Sequence, residues 1–291
     1  MNYSITHRTL YEYEAPVTVS HHVTRLEPRT SQTQSCERFS LKIFPEPALH
    51  KGRVDFFGNR LCFFAIQEIH DQLEIIAHSR VTVTSPQMRV PWSTAPWETV
   101  AEMFRDPVSP EVVDPYQFVF DSPQVRASEE LADYALASFA PQTPLLVGAS
   151  DLTRRIFNDF KYDPVATTVA TPLEEVWAKR RGVCQDFAHL AIACLRSIGL
   201  PARYVSGYLR TRPPLGQPRL VGADASHAWF RIFCPGTGWV DFDPTNNVQP
   251  GEEHVVIAYG RDFGDVSPVA GILTGGGEHE VKVFVDVEPL D

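Results

Sequence analysis

The 291-residue chain carries 26 Lys and Arg against 36 Asp and Glu, a formal charge of -10, with 43% hydrophobic and 21% charged residues. That length suits roughly two domains, each able to bury a core, and an acidic balance without a basic stripe argues against nucleic acid or an anionic membrane surface as partner. No run reaches the ~18 apolar residues of a membrane helix, the amino terminus lacks the basic and apolar regions of a secretory signal, and five cysteines without CxxC spacing argue against a disulfide framework or a structural zinc site, so a reducing cytoplasm is the expected setting.

From residue 2 to about 85 the chain alternates polar and apolar residues in short runs, NYSITHRTLYEY, SHHVTRLEP, ERFSLKIFP, NRLCFFAI and QLEIIAHSRVTV, punctuated by turn signals such as FFGNR. Period-two alternation of this kind predicts an antiparallel β domain over 1–90. The Pro- and Trp-bearing stretch SPQMRVPWSTAPW at 85–97 breaks the pattern and marks the boundary. A core over 91–265 follows. Helical spacing governs WETVAEMFR, SEELADYALASF, ASDLTRRIFNDF, PLEEVWAKRR and CQDFAHLAIACLRSIG, and strands return in ARYVSGYLR, HAWFRIFC, GWVDFDP and EHVVIAYG. A C-terminal extension, 266–291, ends in a strand that could pack on either domain. Helices followed by antiparallel strands predict an α+β arrangement.

Within this order one cysteine is placed differently from the rest. Cys184 follows RRGV and opens a helix whose apolar stripe runs through 187, 188, 191, 195 and 198, with Gly199 and Pro201 as stop signals. Unpaired N–H groups and the dipole at a helix start favour a thiolate and can hold a developing oxyanion. Cys194, mid-helix between Ala193 and Leu195, has neither advantage and reads as inert core, the usual fate of a single cysteine.

Downstream, His227 shares a strand face with Trp229 and Arg231, and a strand end presents an imidazole rigidly beside an aromatic shield. His189, five residues after the cysteine, lies ~140° round the helix and points elsewhere. His21 and His22 face opposite sides of a strand, which disfavours a shared metal. Asp241 and Asp243 fall on one face of WVDFDP, and alternation alone does not choose between them. Pro244 places Asp243 at a strand terminus within reach of a neighbouring histidine, leaving Asp241 the expected solvated residue. His227 and Asp243 are expected to meet across an antiparallel ladder.

At RGVCQDFAHL, SHAWF and GWVDFDPTN, with GLPARYVSGYL between the first two, the chain resembles the transglutaminase-like superfamily of papain-type cysteine enzymes, in the bacterial branch that carries a β-rich N-terminal domain. HRTLYEYEAPVTVSHHVTRLEPR and VDFFGNR resemble that domain, and GRDFGDVSPVAGILTGGG its C-terminal extension. The resemblance implies a papain-like core, a helical layer with the nucleophile at a helix N-terminus packed on an antiparallel sheet. It implies Cys184 as nucleophile, His227 as base and then acid, and Asp243, chosen over Asp241, as the residue orienting His227. The oxyanion donor is expected to be the N–H of Cys184, with Tyr162 of FKYDP second; Gln185 and Trp229 are further candidates for the substrate or oxyanion position.

The expected reaction is acyl transfer on a peptide or protein amide through a thioester, with hydrolysis ahead of transfer to an amine because no calcium-type acidic loop is evident. A catalytically silent peptide-binding scaffold is the rival from another class. A metal-dependent hydrolase fares worst, since neither HExxH nor paired CxxC is present, and no cofactor is expected. The loop 211–225, with Asp224, is expected to control which acceptor approaches.

Overall fold

A computed structural model describes residues 1–85, 91–106, 110–211 and 225–290; part of the expected boundary segment, and nearly all of the loop bearing Asp224, lie outside the described residues. The alternation of the N-terminal third becomes five strands, β1 (Asn2–Thr24), β2 (Gln34–Phe44), β3 (Leu49–Val54), β4 (Arg60–Ile66) and β5 (His70–Val83). They form an antiparallel sheet in the order β2-β5-β1-β4-β3. Along β5 the residues Leu73, Ile75, Ala77, Ser79, Val81 and Val83 are buried at every second position, as one core-facing side of a strand requires.

Four helices follow, α1 (Trp97–Met103), α2 (Pro110–Tyr116), α3 (Glu129–Leu136) and α4 (Leu145–Asp159). Ser128 caps α3 by accepting from the Leu131 N–H at 3.2 Å. α2 lies where the sequence shows no clear helical period, and Pro115 sits inside it. A short strand β6 (Lys161–Tyr162), helix α5 (Leu173–Lys179) and strand β7 (Arg181–Gly182) then lead into α6 (Cys184–Ser197).

α6 is the axis of the helical layer. Residues Gln185 to Arg196 are all buried, because α3, α4 and α5 surround the helix on the sides the sheet leaves open. The apolar stripe read from sequence is therefore only part of the buried surface. The sheet beneath is antiparallel, in the order β10 (Gly238–Phe242), β9 (Ala225–Cys234), β8 (Ala202–Leu209), β11 (His254–Gly260). At the C-terminal end of α6 Gly199 adopts a positive φ of 79°, and the Leu200 N–H returns to the Leu195 carbonyl, closing the helix as expected.

After the short helix α7 (Phe263–Val266), strands β12 (Val269–Gly275) and β13 (His279–Pro289) settle the placement of the tail. Both pair with β1, β13 along residues 3–13 and β12 along 17–24, so the chain's end completes the N-terminal sheet. Gly275, Gly276 and Gly277, all at positive φ, carry the chain from the one pairing to the other. One end of the N-terminal sheet joins the helical layer: Tyr3, Ile5, Val81, Val83, Val285 and Val287 belong to the same core as α6 and β9. Tyr208 of β8 and buried His7 of β1 share a 2.9 Å hydrogen bond across this junction. Among the described residues no helix is long and apolar enough to cross a membrane.

Candidate active site

The parallel pairing of β6 with β7 sets Tyr162 opposite Gly182, two residues before Cys184. Gly182 is required here by space, since a Cβ would lie 2.6 Å from Oδ2 of Asp186. That carboxylate turns back over the helix start, accepting from the Val183 N–H at 2.8 Å and from the Thr167 hydroxyl at 2.6 Å. Burial raises the Asp186 pKa, against these two hydrogen bonds. The motif RGVCQD thus folds into a helix entry whose own side chain satisfies an N–H at the cap, with half-buried Cys184 as the first helical residue.

The structure brings Cys184, His227 and Asp243 together. The His227 Nε2–H donates to Oδ2 of Asp243 at 2.7 Å, with both side chains buried. Because a carboxylate only accepts, the proton sits on Nε2, and the thiol of Cys184 lies near enough to the ring for its charge to act on it. Burial pulls the His227 pKa down, but the bonds and charges of Asp243 and then Cys184 outweigh it and push it up to about 10. Burial likewise opposes ionisation of Asp243, yet hydrogen bonds from His227, His254 and Asn246 hold it well below the usual carboxylate range.

The β9–β10 ladder ends at the pair Phe230–Phe242, one step before Asp243. Asp243 leaves the ladder and bridges to Val248, so it meets His227 by way of a turn and not as a direct cross-strand pair. This turn wraps the carboxylate: Oδ1 accepts from the N–H groups of Thr245 at 2.9 Å and Asn246 at 3.3 Å, while Oδ2 also accepts from the Asn246 amide at 2.7 Å and His254 Nε2 at 3.2 Å. Asn246 belongs to the DPTN run and its spacing could have drawn attention to it. His254 could not have been found this way, because it lies on β11, at the far side of β8. The ligand atoms of His227, Asp243 and His254 lie within 4.8 Å of one another, a spacing compatible with a metal, but both imidazoles direct a proton at the same oxygen and form a hydrogen-bond cluster.

Asp241 departs from the expected solvated residue. It accepts from Trp229 Nε1 at 2.8 Å and pairs with Arg231 at 2.8 Å, fixing the strand face that His227 shares. Trp229 is wholly buried, its ring 6.0 Å from that of His227, so it shields the imidazole and has no free surface for a substrate. Gly207, opposite His227 across the β8–β9 ladder, makes room for it: a Cβ there would stand 2.5 Å from the indole and 2.2 Å from the Val255 carbonyl.

Of the other expected residues, Tyr162 is half exposed, and its pKa is raised by burial and then by the charge of Cys184. The Gln185 amide donates to the Val169 carbonyl at 3.3 Å, turned toward the preceding loop. Gln185, Thr171, Trp177 and Arg180 line a cavity of about 720 Å³ next to the start of α6. His189 points away from Cys184, as its helical angle predicts: its Nε2 accepts from the Phe263 N–H at 3.1 Å, and burial lowers its pKa to about 4. Cys194 is fully buried and its thiol is pushed up to about 12.

Comparison with known proteins identifies the family and the fold. Residues 3–82 match the family model for the bacterial transglutaminase-like N-terminal region, and residues 133–244 that for the transglutaminase-like superfamily. An uncharacterized protein of Mycobacterium tuberculosis is 39% identical over 99% of this chain and 93% of its own length. A protein-glutamine gamma-glutamyltransferase of Pseudomonas aeruginosa is 32% identical over 107 residues, 34% of this chain and 16% of that protein. The fold is shared with a crystal structure from Cytophaga hutchinsonii, of a protein whose assignment as a cysteine protease is itself provisional, at a TM-score of 0.77 and 22% identity over 100% of this chain and 91% of that one.

Proposed function

Since the chain belongs to the transglutaminase-like superfamily, we propose that it is a cysteine enzyme that cleaves an amide bond by way of a thioester, with Cys184 as nucleophile, His227 as acid and base, and Asp243 as the group that orients His227. The observation that carries the reading is the buried imidazole of His227, bonded to Asp243 at 2.7 Å and within the field of a cysteine at a helix start.

The chemistry follows from which nitrogen does what. With Nε2–H committed to Asp243, the other nitrogen exchanges protons with sulfur, and its raised basicity favours a thiolate–imidazolium pair. The thiolate attacks the amide carbonyl, forming the S–C bond. The N–H groups at the start of α6, that of Cys184 first, stabilise the oxyanion, with the Tyr162 hydroxyl a second donor from the facing strand. The C–N bond then breaks as His227 passes its proton to the leaving amine. Water, losing a proton to the now neutral imidazole, attacks the thioester and frees the acid and the thiol. The half-open 720 Å³ cavity beside Gln185, one residue on from Cys184, offers space for the part of the substrate flanking the reacting carbonyl.

Replacing that water by a primary amine gives transamidation with the same residues. The similarity to a glutamyltransferase over 107 residues favours this as the second reading. Incubating the protein with glutamine-containing peptides, with and without a primary amine, separates the two: hydrolysis is expected to exceed amine incorporation, and the reverse ratio would make transamidation the reaction. Loss of neither activity in Cys184→Ala would remove the cysteine mechanism altogether.

A further inference from the structure

We propose that His254 is a positioning residue for this site: by sharing Oδ2 of Asp243 with His227, it limits how tightly the carboxylate holds the imidazole that moves the proton. The inference rests on the reading of Cys184, His227 and Asp243 given above.

Three side-chain donors converge on one oxygen, His227 at 2.7 Å, Asn246 at 2.7 Å and His254 at 3.2 Å. Orientation of the carboxylate does not need His254, because two backbone N–H groups already fix Oδ1 and Asn246 fixes Oδ2. What His254 adds is competition for the acceptor. A lone pair drawn toward a further N–H is a weaker acceptor for the others, so His227 meets a carboxylate whose charge is partly spent.

The tautomer supports this. Nδ1 of His254 is buried without a partner, while Nε2 faces Asp243, so the single proton of a neutral ring belongs on Nε2, where it donates. The ring is held edge-on to Trp229, centroids 5.2 Å apart. Its strand, β11, is an edge strand anchored by the N-terminal domain. The Gln34 amide exchanges two hydrogen bonds with Val256, at 2.7 and 2.8 Å, and that of Asn59 two with Tyr259, both 2.8 Å. The N-terminal sheet therefore helps to place the competing donor. The charged or titratable groups round His254 are Asp243 and His227, Arg210 next to β8, which pairs with Glu253 at 3.9 Å, and Glu252, 4.0 Å from the terminal amine.

The test is the pH dependence of Cys184 alkylation by iodoacetamide in the full chain, followed by mass spectrometry, in wild type, His254→Phe, His254→Gln and His227→Ala. Phenylalanine keeps a ring against Trp229 and removes the donor; glutamine keeps an N–H. If His254 competes for Asp243, the upper inflection, where the imidazolium loses its proton, moves up by about half to one pH unit in His254→Phe, the scale of losing one donor from a charged acceptor. His254→Gln returns it. An unmoved upper inflection in a folded His254→Phe, or a shift in the opposite direction, overturns the proposal.

Should His254→Phe fail to fold, ring 15N–1H correlation spectra of the wild type decide: His254 protonated on Nε2 at neutral pH is expected, and the Nδ1–H tautomer overturns it. His227→Ala keeps the two readings apart. A wild-type profile that is indifferent to His227→Ala refutes the active-site reading itself, whereas a profile changed by His227→Ala and not by His254→Phe refutes only the role of His254.

Discussion

Replacing Asp243 by Asn removes one charge and little volume from a site where the carboxylate is wholly buried and five donors surround it. The rise of the His227 pKa from 6.5 to about 10 corresponds to about 5 kcal/mol of preference for the charged ring, at 1.36 kcal/mol per pH unit. Asp243 and Cys184 share it, and removing one partner of a buried pair costs ~3–5 kcal/mol. The sign sets the pH window. A raised histidine stabilises the fold fully below its unfolded value of 6.5 and stops doing so as pH rises through about 10. The depressed carboxylate contributes above its ordinary 3.8 and ceases to do so only as pH falls through its lower folded value. Denaturant unfolding of wild type and Asp243→Asn should therefore differ by about 3–5 kcal/mol at pH 6, and the gap should narrow above pH 10. Alkylation of Cys184 in the variant should take on the profile of an ordinary thiol, with a midpoint near ~8.5. Equal stability at pH 6 together with an unchanged alkylation profile would show that Asp243 does not hold His227 as an ion pair.

Other expectations follow from packing and exposure. Gly207→Ala should destabilise the fold by about 2–3 kcal/mol in chemical denaturation, because both close neighbours of the new Cβ, the Val255 carbonyl and the Trp229 ring, are buried in place. Gly182→Ala should displace the Asp186 carboxylate from the Val183 N–H and lower stability by about 1 kcal/mol, the scale of a lost cap, read as a fall in Tm. Asn59→Ala should cost about 2–4 kcal/mol, since it leaves the N–H and C=O of Tyr259 unpaired in the junction between the domains, and the loss should appear in denaturation as one cooperative transition shifted to lower denaturant. Iodoacetamide on the native protein at pH 7 should label Cys184 and spare Cys194, whose thiol burial holds near 12; peptide mapping checks this directly.

Much of the site was legible because each part of it is a local pattern. The run RRGVCQDFAHL carries a turn, a helix start and an apolar stripe, and these place Cys184 at the start of α6 and turn His189 away from it, toward Phe263. Alternation in SHAWFRIF and WVDFDP sets His227, Trp229, Arg231 and Asp241 on one face, as the bonds from Trp229 and Arg231 to Asp241 show. The error over Asp241 came from the next step. A face common to two strands says nothing of whether an arginine lies opposite, and register decides that: Asp241 sits directly across from Arg231.

The sequence by itself determined the β-rich start, the helical layer, the returning strands, and the order of cysteine, histidine and aspartate along the chain, because hydrophobic period and turn residues act over a few neighbours. The tertiary structure decided which distant segments become neighbours. It placed the C-terminal strands β12 and β13 end to end on β1, carried His254 from β11 to the carboxylate of Asp243, and used Gln34 and Asn59 of the N-terminal third to hold that strand. Strand order and the path of the 243–253 turn settle those contacts, through burial and hydrogen-bond satisfaction summed over the whole fold, and no local period encodes them.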